Sequence, residues 1–301
     1  MGAARFLRGL NSLLDPRRLT VIVNTGDDET FFGLHVSPDV DTVIYTLAGV
    51  IDPVQGWGVA DDSAHCLDAL QRFYDTTWFR LGDTDLATHI FRTDALHQGR
   101  TLTQITRTIT RAHGVRVCVL PMSDAPVRTV VEVAGRGPLP FQQYLVRGRG
   151  RGRVQRITLR GAGQARPASG ALTALRDADL VVIPPSNPFV SIGPILALRG
   201  MRSALRATRA PVAAISPIVA GAPIKGPLHR MLKGLGHEVS PVGVARLYHD
   251  CVDVFVMDRR DARLAPRVAA LGMRPVVTDT LMTSPAKSRR LAQTVLAELR
   301  R

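Results

Sequence analysis

Two features of the 301-residue sequence predict an α/β fold with a doubly wound, mostly parallel sheet and a small antiparallel insert. Short β-branched runs end in polar, proline-rich turns, and most of them are separated by segments with helical spacing. The first run, Leu19-Thr20-Val21-Ile22-Val23, leads into Asn24-Thr25-Gly26-Asp27-Asp28. The pattern recurs at 115–120 before Pro121-Met122-Ser123-Asp124, at 180–183 before Pro184-Pro185-Ser186-Asn187-Pro188, and at 211–215 before Ser216-Pro217-Ile218. Helical spacing over 39–47, 64–73, 86–96 and 102–112 supplies crossovers, so these strands should run parallel. Residues 127–133, 141–146 and 154–159 read as consecutive strands without a helix between them. They predict an antiparallel insert over about 127–160, with the Arg/Gly run at 147–153 as its hairpin tip. Apolar positions at 291, 295, 296 and 299 predict a closing amphipathic helix. No repeat at solenoid periods is present, and residues 1–301 read as one domain.

A 45% hydrophobic content with 5% aromatic residues is enough for an aliphatic core. No apolar run approaches the roughly 18 residues of a membrane span. Met1-Gly2-Ala3-Ala4-Arg5 is not followed by a signal-peptide core, so a cytoplasmic protein is expected. Cys66, Cys118 and Cys251 are far apart, which suggests buried free thiols and neither a disulfide framework nor a zinc site. The formal charge is +14, with residues 1–124 net acidic and the remainder strongly basic. All the cations except Lys225, Lys233 and Lys287 are arginines. The alternating run from Arg147 to Arg153 has no interleaved aromatic residues, which argues against a nucleic-acid partner.

Polar residues at the carboxyl ends of parallel strands carry the functional expectation, because ligands of open α/β sheets bind there. Asp27, Asp28, Asp39 and Asp41 fall within fifteen positions. Asp39 or Asp41 is suited to cap the helix that follows, with Pro38 in its first turn, and paired carboxylates also suit a hard cation such as Mg²⁺; both remain open. In Trp78-Phe79-Arg80-Leu81-Gly82-Asp83-Thr84-Asp85, Asp85 is placed to cap a helix that carries His89 on the same face. Trp78 is suited to ring stacking or to core packing. Ser191 is a candidate N-cap before Pro194, and strand, polar loop and helix start together suit a phosphate. Lys225, in the loop after Ser216, is positioned either for a diphosphate or for solvent.

The ordered segments NTGDD, FGLHVSPDVDTVIYTLAG, WFRLGDTDLATHIFRT, LPMSD, FQQYLV, PPSNPFVSIGPI, SPIVAGAPIKGP and DTLMTS resemble the 2-phospho-L-lactate transferase family over residues 2 to about 300. The resemblance implies a Rossmann-like three-layer αβα fold and a Mg²⁺-dependent transferase of coenzyme F-420 biosynthesis. Its substrates would be the deazaflavin Fo and a GDP-linked three-carbon acid: 2-phospholactate, phosphoenolpyruvate or 3-phosphoglycerate. The ribityl hydroxyl of Fo attacks and GMP leaves, and a homodimer is expected. Asp39 and Asp41 become candidate catalytic carboxylates; Asp41, Arg80, Trp78 and Met122 fall on the deazaflavin side. Gly2, Asn24, Ser186, Asn187, Ser191, Ser216 and Lys225 fall on the nucleotide side, and Asp27, Asp28 and Asp39 are candidate metal ligands. A nucleotide-sugar-binding regulator of the same fold is the alternative. The family begins with a strand and a glycine-rich turn, whereas Gly2-Ala3-Ala4-Arg5 resembles the inside of that turn. The resemblance therefore implies a first strand encoded upstream of a start codon placed too late.

Overall fold

The computed structural model describes residues 2–300. Helix α1 (Gly2–Asn11) leads to strand β1 (Thr20–Val23), the hairpin β2 (Glu29–Phe31) and β3 (Leu34–Val36), and helix α2 (Pro38–Ala48). Helices α3 (His65–Leu70), α4 (Asp83–His97) and α5 (Leu102–Ala112) follow, then β4 (Cys118–Pro121), β5 (Arg128–Val133), β6 (Gly137–Pro140) and β7 (Val154–Arg160). The second half runs through α6 (Ala171–Arg176), β8 (Val181–Ile183), α7 (Gly193–Ala197), α8 (Met201–Ala207) and β9 (Val212–Ile215). After the small hairpin β10 (Ile218–Val219) and β11 (Ala222–Pro223) come α9 (Leu228–Gly234), α10 (Pro241–Ala245), β12 (Val254–Asp258), α11 (Ala265–Ala269), β13 (Arg274–Thr278) and α12 (Pro285–Leu299).

The main sheet has the order β13-β12-β9-β8, all parallel, and β1 and β4 form a separate parallel pair. Alternation sends successive side chains to opposite faces of the sheet. Ala213, Ile215, Val254 and Val256 pack with Phe6, Leu10, Leu291 and Val295 of α1 and α12 on one face. Val212, Ala214, Phe255 and Met257 pack on the other, with Met201, Leu205 and Val268. Burial on both faces is what a parallel sheet covered by helices requires, and it makes three layers. Around β1 and β4, Val23 and Val119 meet Val40, Ile44, Ile105 and Ile109 of α2 and α5.

The insert is a three-stranded antiparallel sheet of order β6-β5-β7. The strand expected over residues 141–146 is instead helical, with a π-helical turn at Gln143–Arg147. Phe141 and Tyr144, three apart, are both buried, a helical spacing that outweighs the local β-propensity. The Arg/Gly run is therefore no hairpin tip but the connection from this turn to β7. Gly150 in it is buried, and its carbonyl accepts from the Tyr144 hydroxyl at 3.0 Å and Arg230 Nη1 at 2.6 Å. Two of the three thiols also depart from expectation: Cys66 and Cys118 are exposed, and Cys251 alone is buried. No helix among the described residues is long and apolar enough to cross a membrane.

Phe255 has no exposed surface at the centre of the sheet. Phe255→Ala should cost about 3–5 kcal/mol of unfolding free energy, read as a shift of the urea midpoint at unchanged slope.

Candidate active site

The end of β1, the start of α2 and the loop after β8 converge on one side chain. Asn24 Nδ2 donates to Asp27 Oδ1 at 2.8 Å and to Asp39 Oδ2 at 3.0 Å, and lies 3.3 Å from the Val190 carbonyl. Its Oδ1 accepts from the Gly26 amide at 2.8 Å, which folds the turn back on itself. Gly26 is required by close approach: a Cβ there would lie 2.8 Å from Thr129 Oγ1 and 3.0 Å from Pro194 Cβ. The insert joins through Gln142, whose Nε2 donates to Asp27 Oδ2 at 3.2 Å.

Asp27 and Asp28 are buried. Burial, reinforced by the negative charges of Asp39 and Asp28, raises the Asp27 carboxyl well above the usual carboxylate range. Burial also raises Asp28, opposed by His35 Nε2 at 3.0 Å and the Ser37 hydroxyl at 2.7 Å on its Oδ2. Asp28 Oδ1 is buried with no hydrogen-bond partner. Asp27 and Asp39 both accept from Asn24 Nδ2 and present carboxylate oxygens, the donor type of a hard divalent cation, but Asp28 does not complete a three-ligand group with them among the described residues.

Asp41 faces elsewhere. It is buried between α2 and α4, where Arg92 Nη2, without exposed surface, donates to its Oδ1. Arg92 Nη1 lies 3.2 Å from His89 Nδ1. A guanidinium only donates, so Nδ1 accepts and the ring proton sits on Nε2, 3.4 Å from Asp85 Oδ2. The Tyr45 hydroxyl donates to Asp85 Oδ1 at 2.7 Å. Burial pushes the Asp85 carboxyl up, but His89, Tyr45 and Arg92 together outweigh it and hold it below its usual value. Asp41, Asp85 and His89 each offer a ligand atom within 4.8 Å of the others, but Arg92 already supplies positive charge here. Neither Asp39 nor Asp41 caps α2, whose N-cap is Ser37 with Pro38 in its first turn. Asp85 does not cap α4 either; Asp62 accepts from the Thr84 and Asp85 amides at 2.8 and 3.0 Å.

Asn24, Asp39, Ser186 and Ser191 line one end of a cavity of 1180 Å³, with Ala3 and Ala4 of α1 alongside. Gly2 lies against β8's exit, since a Cβ on it would fall 2.3 Å from the Pro185 carbonyl oxygen. Ser191 does not cap α7; the N-cap position is Ile192, with no side-chain bond. Asn187 organises the loop instead, accepting from the Phe189 amide at 2.9 Å. Ser216 is fully buried, its hydroxyl donating to the Ile218 carbonyl at 2.9 Å. Lys225 Nζ donates to the Gln55 carbonyl at 3.4 Å, and the nearby Asp52 carboxylate feels the charge of exposed Arg80. Arg80 and Lys225 thus both lie near the 52–55 turn, which does not line the cavity. Trp78 is half-buried, edge-on to Phe31 with centroids 5.3 Å apart. Met122, expected on the deazaflavin side, has no exposed surface and packs in the main core.

Gln142, His35 and Arg92 escaped the sequence. All three lie in the segments that carry the resemblance, yet nothing local marks that their side chains turn inward.

The match to the family model described as 2-phospho-L-lactate transferase CofD spans residues 1–297. The chain belongs to this family. It is 38% identical to the 2-phospho-L-lactate transferase of Methanosarcina mazei over 98% of its own length and 96% of that protein's. It is 41% identical to the phosphoenolpyruvate transferase of Kitasatospora aureofaciens, over 99% and 94%. Among solved structures, a UPF0052 family protein from Bacillus halodurans is similar in fold, with a TM-score of 0.62 at 16% identity over 98% of this chain and 96% of that one.

A carboxyl whose folded pKa is raised stabilises the protein below its unfolded pKa, and that stability is lost as pH rises through the raised value. Asp27→Asn should therefore raise the thermal midpoint at neutral pH relative to wild type, with the difference shrinking as pH falls toward the usual carboxylate range. Thermal melts across that range check both signs. Arg92→Met, by contrast, leaves Asp41 buried and uncompensated and should cost about 3–5 kcal/mol in denaturant unfolding.

Proposed function

We propose that this transferase moves a phosphorylated three-carbon acid from its GDP-linked form to the hydroxyl of the deazaflavin Fo, releasing GMP, in coenzyme F-420 biosynthesis. The observation that carries it is family membership across residues 1–297, with relatives named for transfer of 2-phospholactate or phosphoenolpyruvate. The crevice supports it by gathering carboxylates from Asp27 and Asp39 beside the Ser186–Ser191 loop. In the reaction the attacking hydroxyl oxygen bonds to the phosphorus that carries the acid, and the bond from that phosphorus to GMP breaks.

Asp27 and Asp39, whose carboxylates meet at Asn24 Nδ2, are the residues assigned to hold Mg²⁺. Bound there, the ion supplies charge neutralisation for phosphoryl oxygens. Asp39, only half-buried at the cavity end, is assigned to accept the proton of the attacking hydroxyl. Asn24 orients Asp39 and Asp27 through its two amide protons. Asp41 acts indirectly, by fixing α2 to α4 through Arg92 so that Asp39 on the first turn keeps its position. Lys225, near the 52–55 turn, is assigned to the diphosphate, and Arg80, near the same turn, to the deazaflavin.

Mass spectrometry of products from Fo and each GDP-linked acid tests the activity: a deazaflavin carrying the acid is expected together with GMP, and no product from any acid would remove the proposal. Asp39→Asn should lower kcat by about 100-fold or more with little change in stability. At a Mg²⁺ concentration about 100 times its Kd, wild type should gain about 2.7 kcal/mol, a rise in thermal midpoint that Asp27→Asn loses.

A further inference from the structure

We infer that the antiparallel insert is a positioning element of the crevice: Gln142, just before the π-helical turn, sets the plane of the Asp27 carboxylate beside Asp39. The inference rests on the assignment of Asp27 and Asp39 to Mg²⁺. The last side-chain torsion of an aspartate is broad, so a single donor fixes one carboxylate oxygen and leaves the other free to swing. The Asp27 carboxylate takes a donor on each oxygen. Asn24 Nδ2, from the same turn, donates to Oδ1 at 2.8 Å, and Gln142 Nε2, 115 positions along the chain, donates to Oδ2 at 3.2 Å. Gln142 Nε2 also lies 3.4 Å from the Asp27 carbonyl oxygen, so two acceptors face the NH₂ end of the amide. Gln142 is 4% exposed and carries no charge. It therefore orients the carboxylate without neutralising it, which a lysine or arginine at 142 would do.

The rest of the insert is built around this contact. At the start of β5 the Thr129 amide donates to the Gly26 carbonyl at 2.6 Å, one residue before Asp27. Phe141 and Tyr144, which flank Gln142, are buried with Val131, Val133, Val154 and Met231. Val190 belongs to the same cluster, and its carbonyl is the one that Asn24 faces. Met231 Sδ accepts from Asn187 Nδ2 at 3.1 Å, which ties the loop after β8 to the insert. A single apolar cluster thus lies behind Gln142 and behind the loop that closes on Asn24.

The Arg/Gly connection closes over the same turn. The Gly148 amide donates to the Gln143 carbonyl at 2.8 Å, a five-residue span that makes the turn π-helical, and single π-helical turns recur at functional sites. The Gly150 amide donates to the Tyr144 carbonyl at 2.9 Å, while the Gly150 carbonyl accepts from the Tyr144 hydroxyl and from Arg230 of α9. Gly150 has φ +58°, and a Cβ there would fall 3.0 Å from Pro227 Cβ; Gly152 has φ +101°, and a Cβ there would fall 2.5 Å from Val133 Cγ1. The glycines of the run are therefore the part that fits it to the turn. Arg147, Arg149, Arg151 and Arg153 are exposed.

Calorimetric titration of Mg²⁺ alone into the protein, without substrates, tests the inference apart from any transferase activity. Gln142→Met, which keeps the bulk and removes the donor, should raise the Mg²⁺ Kd about 10–100-fold. At saturating Mg²⁺ it should lower kcat while KM for Fo stays within about twofold. A merely structural role would instead lower the Mg²⁺-free thermal midpoint and leave Kd and kcat alone. Tyr144→Phe, which loses only the bond to Gly150, should raise Kd by a smaller factor. Joint replacement of Arg147, Arg149, Arg151 and Arg153 by glutamine should leave Kd within about twofold at physiological salt. An unchanged Kd in Gln142→Met, an equal rise in the arginine variant, or no Mg²⁺ binding by wild type would overturn the inference. If Gln142→Met does not fold, Tyr144→Phe decides, a raised Kd supporting the inference and an unchanged one overturning it. Should Kd follow the expected pattern while no GDP-linked acid gives product, the transferase reading falls and the positioning role stands.

Discussion

One carboxamide holds the crevice together. Asn24 has two amide protons, and three acceptors from three parts of the fold surround them: Asp27 in its own turn, Asp39 at the start of α2, and the Val190 carbonyl beyond β8. Hydrogen bonds buried in a low local dielectric are electrostatically stronger than those in water. Aspartate at this position would add another negative charge to an already crowded group, and serine would not reach. The type of residue at the end of β1 is thus set by the charges it must bridge.

Buried acids on the two sides of α2 are treated in opposite ways. Asp41 and Asp85 are compensated by Arg92, His89 and Tyr45, and this network acts as a structural rivet between α2 and α4. Among the described residues, the hydrogen-bond donors to Asp27 and Asp28 are neutral groups or histidine, and both carboxyls are raised. A protein gains nothing in stability by leaving such charge uncompensated. The asymmetry fits the proposed role of Asp27 and Asp39, on one side of the helix only. Asp39 belongs to the uncompensated side and Asp41 to the compensated side, although they are two residues apart, because positions two apart on a helix do not share a face.

The sequence exposes this division only in part. Strands β1, β8 and β9 were legible because each apolar run breaks into a polar, proline-rich turn at its carboxyl end. β12 and β13 were not, since a fully buried run such as Val254-Phe255-Val256-Met257 lacks the alternation that separates strand from helix. The clustering of Asp27, Asp28 and Asp39 was legible from proximity alone. Their different fates from Asp41 were not, because the deciding cation, Arg92, lies on another helix and reads locally as a surface residue. Residues 141–146 differ for a related reason: their β-prone side chains predict a strand, whereas the spacing of the buried Phe141 and Tyr144 is helical. Met122 follows a strand exactly where ligand contacts are expected, yet tertiary packing turns its side chain into the core.

Helix α1 explains how two separate sheets keep one crevice in register. Its Phe6 and Leu10 pack with α12 and the main sheet, while Leu7, on a neighbouring stripe, packs with Val23, Val43 and the β1–β4 side. Gly9 allows the close contact with α12, because a Cβ there would fall 2.4 Å from the Ser288 carbonyl oxygen. The helix is thus a wedge with one face for each half of the molecule. At the crevice end the two halves meet through Asn24 and Val190; at the other they are held by this apolar wedge. A shift of α1 along α12 would drive Gly2 against Pro185, where a Cβ already would fall 2.3 Å from the carbonyl oxygen. Packing far from the acids is therefore linked to the site through α1, which meets Pro185 at one end and Val23 and Val43 along its side.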